Sequence, residues 1–365
     1  MHKQRTEKLL ALLSETESQG VLIQKPSNMR WLSGYTGEGA LLITDNLWAV
    51  VTDFRYTEQA EMQAPDYKVF ITTPEDKEPK VVAGLLAEMG IKTLCFEDDY
   101  LTVKGMKLQQ EAAPDVSFVP VDRKPEKLRE IKDESEIALI EKACGVTCQA
   151  YDYIVGYIKG KIAKSHRVRL TEIQVRNELE SALIRFGADR PAFDSIVATG
   201  ANGSLPHAIP GDRVIRRGHM LTMDFGAKIG GYCADMTRTV AIGEIDAESR
   251  KIYDTVLRAQ LMALDLIRPG ADCREVDRLA RTFIGEAGYE GRFGHGLGHS
   301  LGLDIHEPPR LSTISEDTLA AGMVVTDEPG IYIPGQCGCR IEDTVLVTED
   351  GCRRLTTADK ELMIL

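Results

Sequence analysis

The chain has 365 residues, of which 43% are apolar, 27% charged and 6% aromatic: globular proportions, with enough chain for one large domain or two. Lys and Arg total 44 against 56 Asp and Glu, a net charge of -12, so the basic footprint that phosphate backbones or anionic lipid require is missing. Nucleic acid is thereby set aside as the main partner, and no apolar run approaches the ~18 residues of a membrane span.

Met1 to Lys8 carries charge with no apolar core behind it, so no signal peptide is expected. The eight cysteines form no paired C-x-x-C pattern, which reads as free thiols in a reducing cytoplasm. Residues 5–18 are predicted helical, followed by strands at Val21–Ile23, Ala40–Thr44 and Leu47–Thr52, with Asp45-Asn46 as the turn between the last two. Helices are expected at Thr57–Met62 and Lys80–Met89, then a strand at Thr93–Phe96, together a small α/β unit. Between 119 and 135 the composition shifts to Pro and charge, which marks a domain boundary. Beyond it, helical spacing predicts a long helix over 133–158 and another over 171–186 with Thr171 as its cap. Hairpin-like strands then alternate with helices at 247–268 and 273–287.

Three stretches carry chemistry. In Leu221–Val240, alternating apolar residues flank Gly230-Gly231, a hairpin signal. If Ile229-Gly230 forms the turn, Asp224 faces Asp235; if Gly230-Gly231 does, Asp235 is the diagonal neighbour. Either register leaves both carboxylates on one face, within roughly 5–8 Å. Opposed like charges are destabilising, so the pair wants a cation or a shared proton, unless it is only a solvated surface pair. The second stretch, His295–Pro309, holds three of the chain's seven histidines, and its glycines argue for a bent backbone that aims imidazoles into a site. In the third, Glu328 and Glu342 flank a Pro/Gly loop, and a regular strand would put Glu342 on the face of Arg340. Two Asp, two Glu and one His make an oxygen-rich set, suited to a hard or borderline dication such as manganese and unlike a structural zinc site. Four carboxylates neutralise two dications, and paired ions activate water and polarise a carbonyl or phosphoryl oxygen: a two-metal hydrolase.

From about residue 125 to 360, these stretches resemble the pita-bread metallopeptidases, which include Xaa-Pro aminopeptidases, Xaa-Pro dipeptidases (prolidases), methionine aminopeptidases and creatinase. Trp31–Gly37 and Thr52–Ala60 look like the creatinase-type N-terminal domain. The resemblance implies an α/β creatinase-like N-terminal domain over 1–122 and an α+β pita-bread catalytic domain over 123–365. It makes Asp224, Asp235, His299, Glu328 and Glu342 the ligands of two divalent ions, manganese first, with cobalt or zinc as alternatives. His207 and His306 match the substrate-side histidines, His295 a supporting one, and Arg340 an Arg of the proline-specific branch. Glu328 would also accept the proton of the attacking water, His207 and His306 would donate to the substrate carbonyl and developing oxyanion, and Arg340 would orient a carboxylate or carbonyl on the leaving side.

The implied activity is an Xaa-Pro aminopeptidase acting on small peptides with proline second, with the dipeptidase as the alternative and a metal-free or inactive peptide-binding module as a remote one. A cytoplasmic homodimer is expected. Intact ligands argue against creatinase. His2, His166 and His219 are expected to be structural or solvated, a regulatory role for the Cys337 and Cys339 thiols is a minor alternative, and Tyr232 and Tyr332 are expected to pack.

Overall fold

The computed structural model describes residues 1–14, 17–163 and 169–365; His166 lies outside them. The chain forms two compact units, Met1–Arg129 and Glu130–Leu365.

In the first unit, strands β1 (Gly20–Ile23), β2 (Ala40–Thr44), β3 (Trp48–Asp53), β4 (Lys68–Thr72), β5 (Thr93–Phe96) and β6 (Ser117–Pro120) form one mixed sheet in the order β4-β3-β2-β1-β5-β6. β1 and β2 are buried along their whole length, as expected of unbroken apolar runs covered on both faces. The covering helices are α1 (His2–Leu13), α2 (Pro26–Ser33), α3 (Thr57–Gln63), α4 (Glu78–Met89), α5 (Val103–Ala112) and α6 (Lys124–Arg129). α1 starts and stops earlier than the 5–18 expected, because its buried stripe is Arg5, Thr6, Leu9 and Leu13 and nothing apolar continues it to 18. The sequence predicts no element at α2, β4, α5 or β6. The charged stretch expected to be only a boundary contains α6, whose Glu126 takes hydrogen bonds from Asn28 Nδ2 at 2.7 Å and Lys25 Nζ at 2.8 Å.

The second unit opens with the long helix α7 (Glu134–Ala163) and α8 (Glu172–Arg185). Thr171 caps α8 in a capping box with Gln174, satisfying two amides at once. Strands β7 (Arg190–Pro191), β8 (Ile196–Thr199), β9 (Met220–Phe225), β10 (Ala227–Ile229), β11 (Tyr232–Cys233) and β12 (Met236–Ala241) follow. They make two small sheets, β12-β9-β8 and β11-β10-β7. Helices α9 (Ala247–Leu266) and α10 (Cys273–Ile284) begin at the caps Asp246 and Asp272. Then come β13 (Gly298–Ser300), β14 (Glu307–Leu311), β15 (Val324–Asp327), β16 (Gly330–Ile333), β17 (Cys337–Arg340), β18 (Asp343–Val347) and β19 (Cys352–Arg354). They form the sheet β14-β13-β15-β18-β19 and the hairpin β16-β17. Ile252, Val256 and Val276 of α9 and α10 share a core with Leu297, Val325, Ile331 and Val345, which fixes these strands from behind. No described helix is long and apolar enough to cross a membrane.

Candidate metal centre

The first acid pair sits where a hairpin ladder breaks. Lys228 pairs with Cys233 and Met236 with Phe225, so one register runs from β10-β11 into β9-β12. That is the Gly230-Gly231 turn, and both glycines have positive φ (55° and 86°), as a type I′ turn requires; Ile229 could not serve there. Asp224 therefore pairs with Thr237, and Asp235 is its diagonal neighbour on the same face. The ladder parts at Gly226, where an added Cβ would lie 1.7 Å from the Ala234 carbonyl oxygen. Only glycine fits so close an approach.

The second pair repeats the device. Asp327 pairs with Asp343 and Gly330 with Arg340, so one register spans β15-β18 and β16-β17 and sets Glu328 across from Glu342 at the interruption. The sequence expectation of one regular strand through Arg340 and Glu342 is not met, because the chain passes from one sheet to another between them. Thr326 Oγ1 donates to Glu328 Oε1 at 3.1 Å and Thr237 Oγ1 to Glu342 Oε2 at 2.7 Å.

These acids meet around His299. Ligand-capable atoms of Asp235, His299 and Glu342, all buried, lie within 4.8 Å of one another. Glu328 Oε1 stands 3.3 Å from His299 Nε2, and Asp235 Oδ2 3.7 Å. His299 Nδ1 lies 3.1 Å from the Ser300 carbonyl oxygen, which can only accept. Nδ1 donates there, so Nε2 is the nitrogen that faces the carboxylates: a donor to Glu328 when the ring is cationic, and a lone pair for an ion when it is neutral. Asp224 is not in the tight trio: its Oδ2 accepts from Arg340 Nη2 at 2.5 Å. Burial, then the neighbouring acids Glu342 and Asp224, push the Asp235 carboxyl well above its ordinary pKa, and burial with Glu328 and Asp224 does the same for Glu342. Burial opposes ionisation of Glu328 too, but the hydrogen bond and charge of His299, with His295 and Arg340, bring it down to about 2. Oδ1 of Asp224 and Oδ1 of Asp235 are buried without a hydrogen-bond partner. Crowded acids, orphaned oxygens and an imidazole nitrogen aimed at them are what divalent cations would relieve, so this donor set fits such ions.

The cluster lies in a cavity of about 760 Å³, also lined by His207, His295, His306, Arg310 and Arg340. A directed chain of hydrogen bonds crosses its wall. Arg340 Nη1 donates to Tyr332 Oη at 2.7 Å, and Tyr332 Oη lies 2.8 Å from His295 Nε2. His295 Nδ1 is 2.8 Å from the Gly296 carbonyl, so it donates there and Nε2 accepts from the tyrosine. Tyr332 therefore does more than pack, whereas the Tyr232 hydroxyl is buried against Glu136 at 2.9 Å. His306 stacks edge-on to His299 with ring centroids 4.5 Å apart. Burial, then the charges of His299 and Arg310, bring its pKa down to about 4.

Sequence reasoning missed several supporting groups. Lys132, whose side chain is 1% exposed, donates to Ser300 Oγ at 2.8 Å and stands 3.5 Å from Glu307. It falls in the stretch expected to be a boundary, so composition pointed away from it. Buried Asp277 accepts from the Leu297 amide at 3.0 Å, and its partner Arg281 reaches the carbonyls of Phe293 and His295. Neither residue stands near the motif stretches in sequence.

Comparison with known proteins gives the same picture. Residues 138–349 match the model of metallopeptidase family M24, and residues 5–131 that of the creatinase/prolidase N-terminal domain. The chain is 37% identical to an Xaa-Pro dipeptidase from Pyrococcus furiosus over 99% of this chain and 100% of that one. A solved Xaa-Pro dipeptidase structure from Bacillus anthracis is 40% identical with a TM-score of 0.95, covering 100% of both chains. An X-Pro aminopeptidase structure from Thermotoga maritima is 34% identical with a TM-score of 0.88, covering 99% of this chain and 100% of that one. With the pita-bread catalytic unit matched over most of its length and the N-terminal unit matched as well, the chain belongs to metallopeptidase family M24.

Proposed function

We propose that this metallopeptidase is a dinuclear exopeptidase that cleaves the bond between an N-terminal residue and a following proline, and that it acts as the dipeptidase. The observation that carries the metal reading is the buried cluster of Asp235, His299 and Glu342 beside Glu328 and Asp224, with two orphaned carboxylate oxygens. Those five residues would hold two divalent ions, manganese ahead of cobalt or zinc. When bound, such ions supply polarisation of the scissile carbonyl and acidify a water.

The chain's own residues account for the rest. Glu328 is ionised through the neutral range, and it would take the proton of the attacking water. His306, with a pKa near 4, is neutral at pH 7 and, with His207, offers a hydrogen bond to an oxygen that gains charge. Arg340 is held by Asp224 and Tyr332, so its guanidinium orients the leaving side from a fixed position.

The sequence alone leans toward the aminopeptidase. Two observations favour the dipeptidase. Arg310 and Arg176 line the cavity, and a guanidinium there suits the free carboxylate of a dipeptide's proline. The relatives at 37% and 40% identity carry the dipeptidase name, against 34% for the X-Pro aminopeptidase structure that aligns just as fully. A cytoplasmic homodimer completes the reading: the free state of all eight cysteines supports the location, and the family resemblance the dimer.

Product analysis with manganese-loaded protein tests it, using Ala-Pro, Ala-Pro-Ala and, as control, Ala-Ala-Ala. Cleavage of Ala-Pro alone is expected. Release of Pro-Ala from the tripeptide moves the function to the aminopeptidase, and no cleavage of either proline peptide by metal-bound protein overturns proline specificity.

A further inference from the structure

The segment that carries His207 leaves β8 at Thr199 and returns past Gly211, and both ends are gripped by the first turn of α8. Glu172, the first residue of that helix, is 1% exposed. Its Oε1 accepts from the Thr199 amide at 2.8 Å. Its Oε2 accepts from Asn202 Nδ2 at 2.9 Å and from the Gly211 amide at 3.2 Å. The backbone of the same turn adds two bonds, Glu172 N–H to the Arg213 carbonyl at 3.1 Å and Ile173 N–H to that of Gly211 at 3.0 Å. Glu172 does not line the cavity, whereas the stretch it encloses, Pro206 to Pro210, does.

We propose that Glu172 is a positioning residue for His207, closing its loop at both ends and so fixing how far the imidazole reaches into the cavity. A buried carboxylate is costly unless its oxygens are satisfied, and here both are satisfied by donors drawn from the two ends of one loop. The loop is held from its other side as well. Arg340 Nη1 donates to the Pro206 carbonyl at 3.2 Å and the Gly335 amide to Ser204 Oγ at 3.2 Å. His207 thus projects from a span pinned before, behind and beside it. The inference rests on the reading of His207 as a group that faces the substrate.

Glu172→Gln keeps the shape and one acceptor but turns an amide NH2 toward a donor; Glu172→Ala removes both acceptors. On Ala-Pro with manganese-loaded protein, kcat is expected to fall about 10-fold for Gln and about 100-fold for Ala, with KM little changed, since misplacing one group by an ångström costs on that order. Introduced into His207→Ala, Glu172→Ala is expected to cost less than about 2-fold more, because residues that act through one another are not additive. An equal loss in both backgrounds overturns the proposal, since a general loss of folded protein would act alike in each. Should Glu172→Ala fail to fold, Asn202→Ala removes one donor at the near end, and the same cycle with His207→Ala applies to it. An activity-free readout keeps the two readings apart: the His207 ring resonances by NMR are expected to shift and broaden in Glu172→Gln while those of His306 stay in place. Unchanged His207 resonances overturn the clasp; wild-type protein inactive on Ala-Pro overturns the Xaa-Pro reading and leaves the NMR test of the clasp standing.

Discussion

The two acid-bearing hairpins use one device with different economy. In each, a single register continues through a break in the ladder, and the carboxylates occupy the break. In the β15-β18 hairpin both glutamates have a threonine hydroxyl bonded to them, so each is partly satisfied by the chain. In the β9-β12 hairpin Asp224 and Asp235 each keep one buried oxygen with no partner, and Asp224 spends the other on Arg340. The need for a cation is therefore concentrated on the aspartates, while the glutamates are pre-oriented for it. A metal site built this way has one half that waits for the ion and one half that aims at it.

The largest test of that asymmetry is Asp235→Asn, which is expected to remove at least one equivalent of bound metal and to lower Ala-Pro hydrolysis by roughly 10³-fold or more, beyond the loss of a single oxyanion donor. Elemental analysis beside kinetics checks it, and full metal content would break the comparison. Next is the break itself. Gly226→Ala drives a methyl into the Ala234 carbonyl. It should cost at least the ~1–3 kcal/mol of an overpacked core, read as a lowered denaturant midpoint. Third, Thr237→Val frees Glu342 Oε2 and Arg340 Nε together. Metal affinity by calorimetry should fall about 10–100-fold, and Thr326→Val on the other glutamate should have an effect of the same order, since it frees Glu328 Oε1 and the His299 amide together.

The smallest effect lies outside both hairpins and serves as the reference. Asp246 caps α9, accepting from the Ser249 amide at 2.6 Å. The Ser249 backbone N–H and then its hydroxyl hold the Asp246 carboxyl below its ordinary pKa. A depressed carboxylate stabilises the fold above its unfolded pKa, and that contribution is lost as pH falls through the lower folded value. Asp246→Ala should cost about 1 kcal/mol at pH 7, with the difference from wild type shrinking below about pH 4 and metal affinity unchanged.

Much of the centre could be read from the residues alone. Alternation about Gly230-Gly231 announced a hairpin, and the requirement for positive φ at both turn positions selects between the two registers on stereochemical grounds. The motif stretches supplied the acids and histidines that now line one cavity. What could not be read depends on contacts between distant segments. Ile341 and Glu342 look like the middle of a strand, and only the passage from one sheet to another makes them a break. Lys132 reads as linker charge until Ser300 and Glu307 are folded against it. α2 begins at Pro26, a good first helical position, but its short mixed sequence has no period long enough to register.

The placement of each acid pair within one hairpin has a kinetic consequence. Short turns close in microseconds, so either pair can assemble early and locally. Of the bonds that join the halves, Thr237 to Glu342 spans a sequence separation of 105 and Arg340 to Asp224 one of 116. Contacts of that range are made late, after most loop-closure entropy has been met. An ion touching both hairpins favours only the joined state, so it should slow the opening of the native protein far more than it hastens its formation.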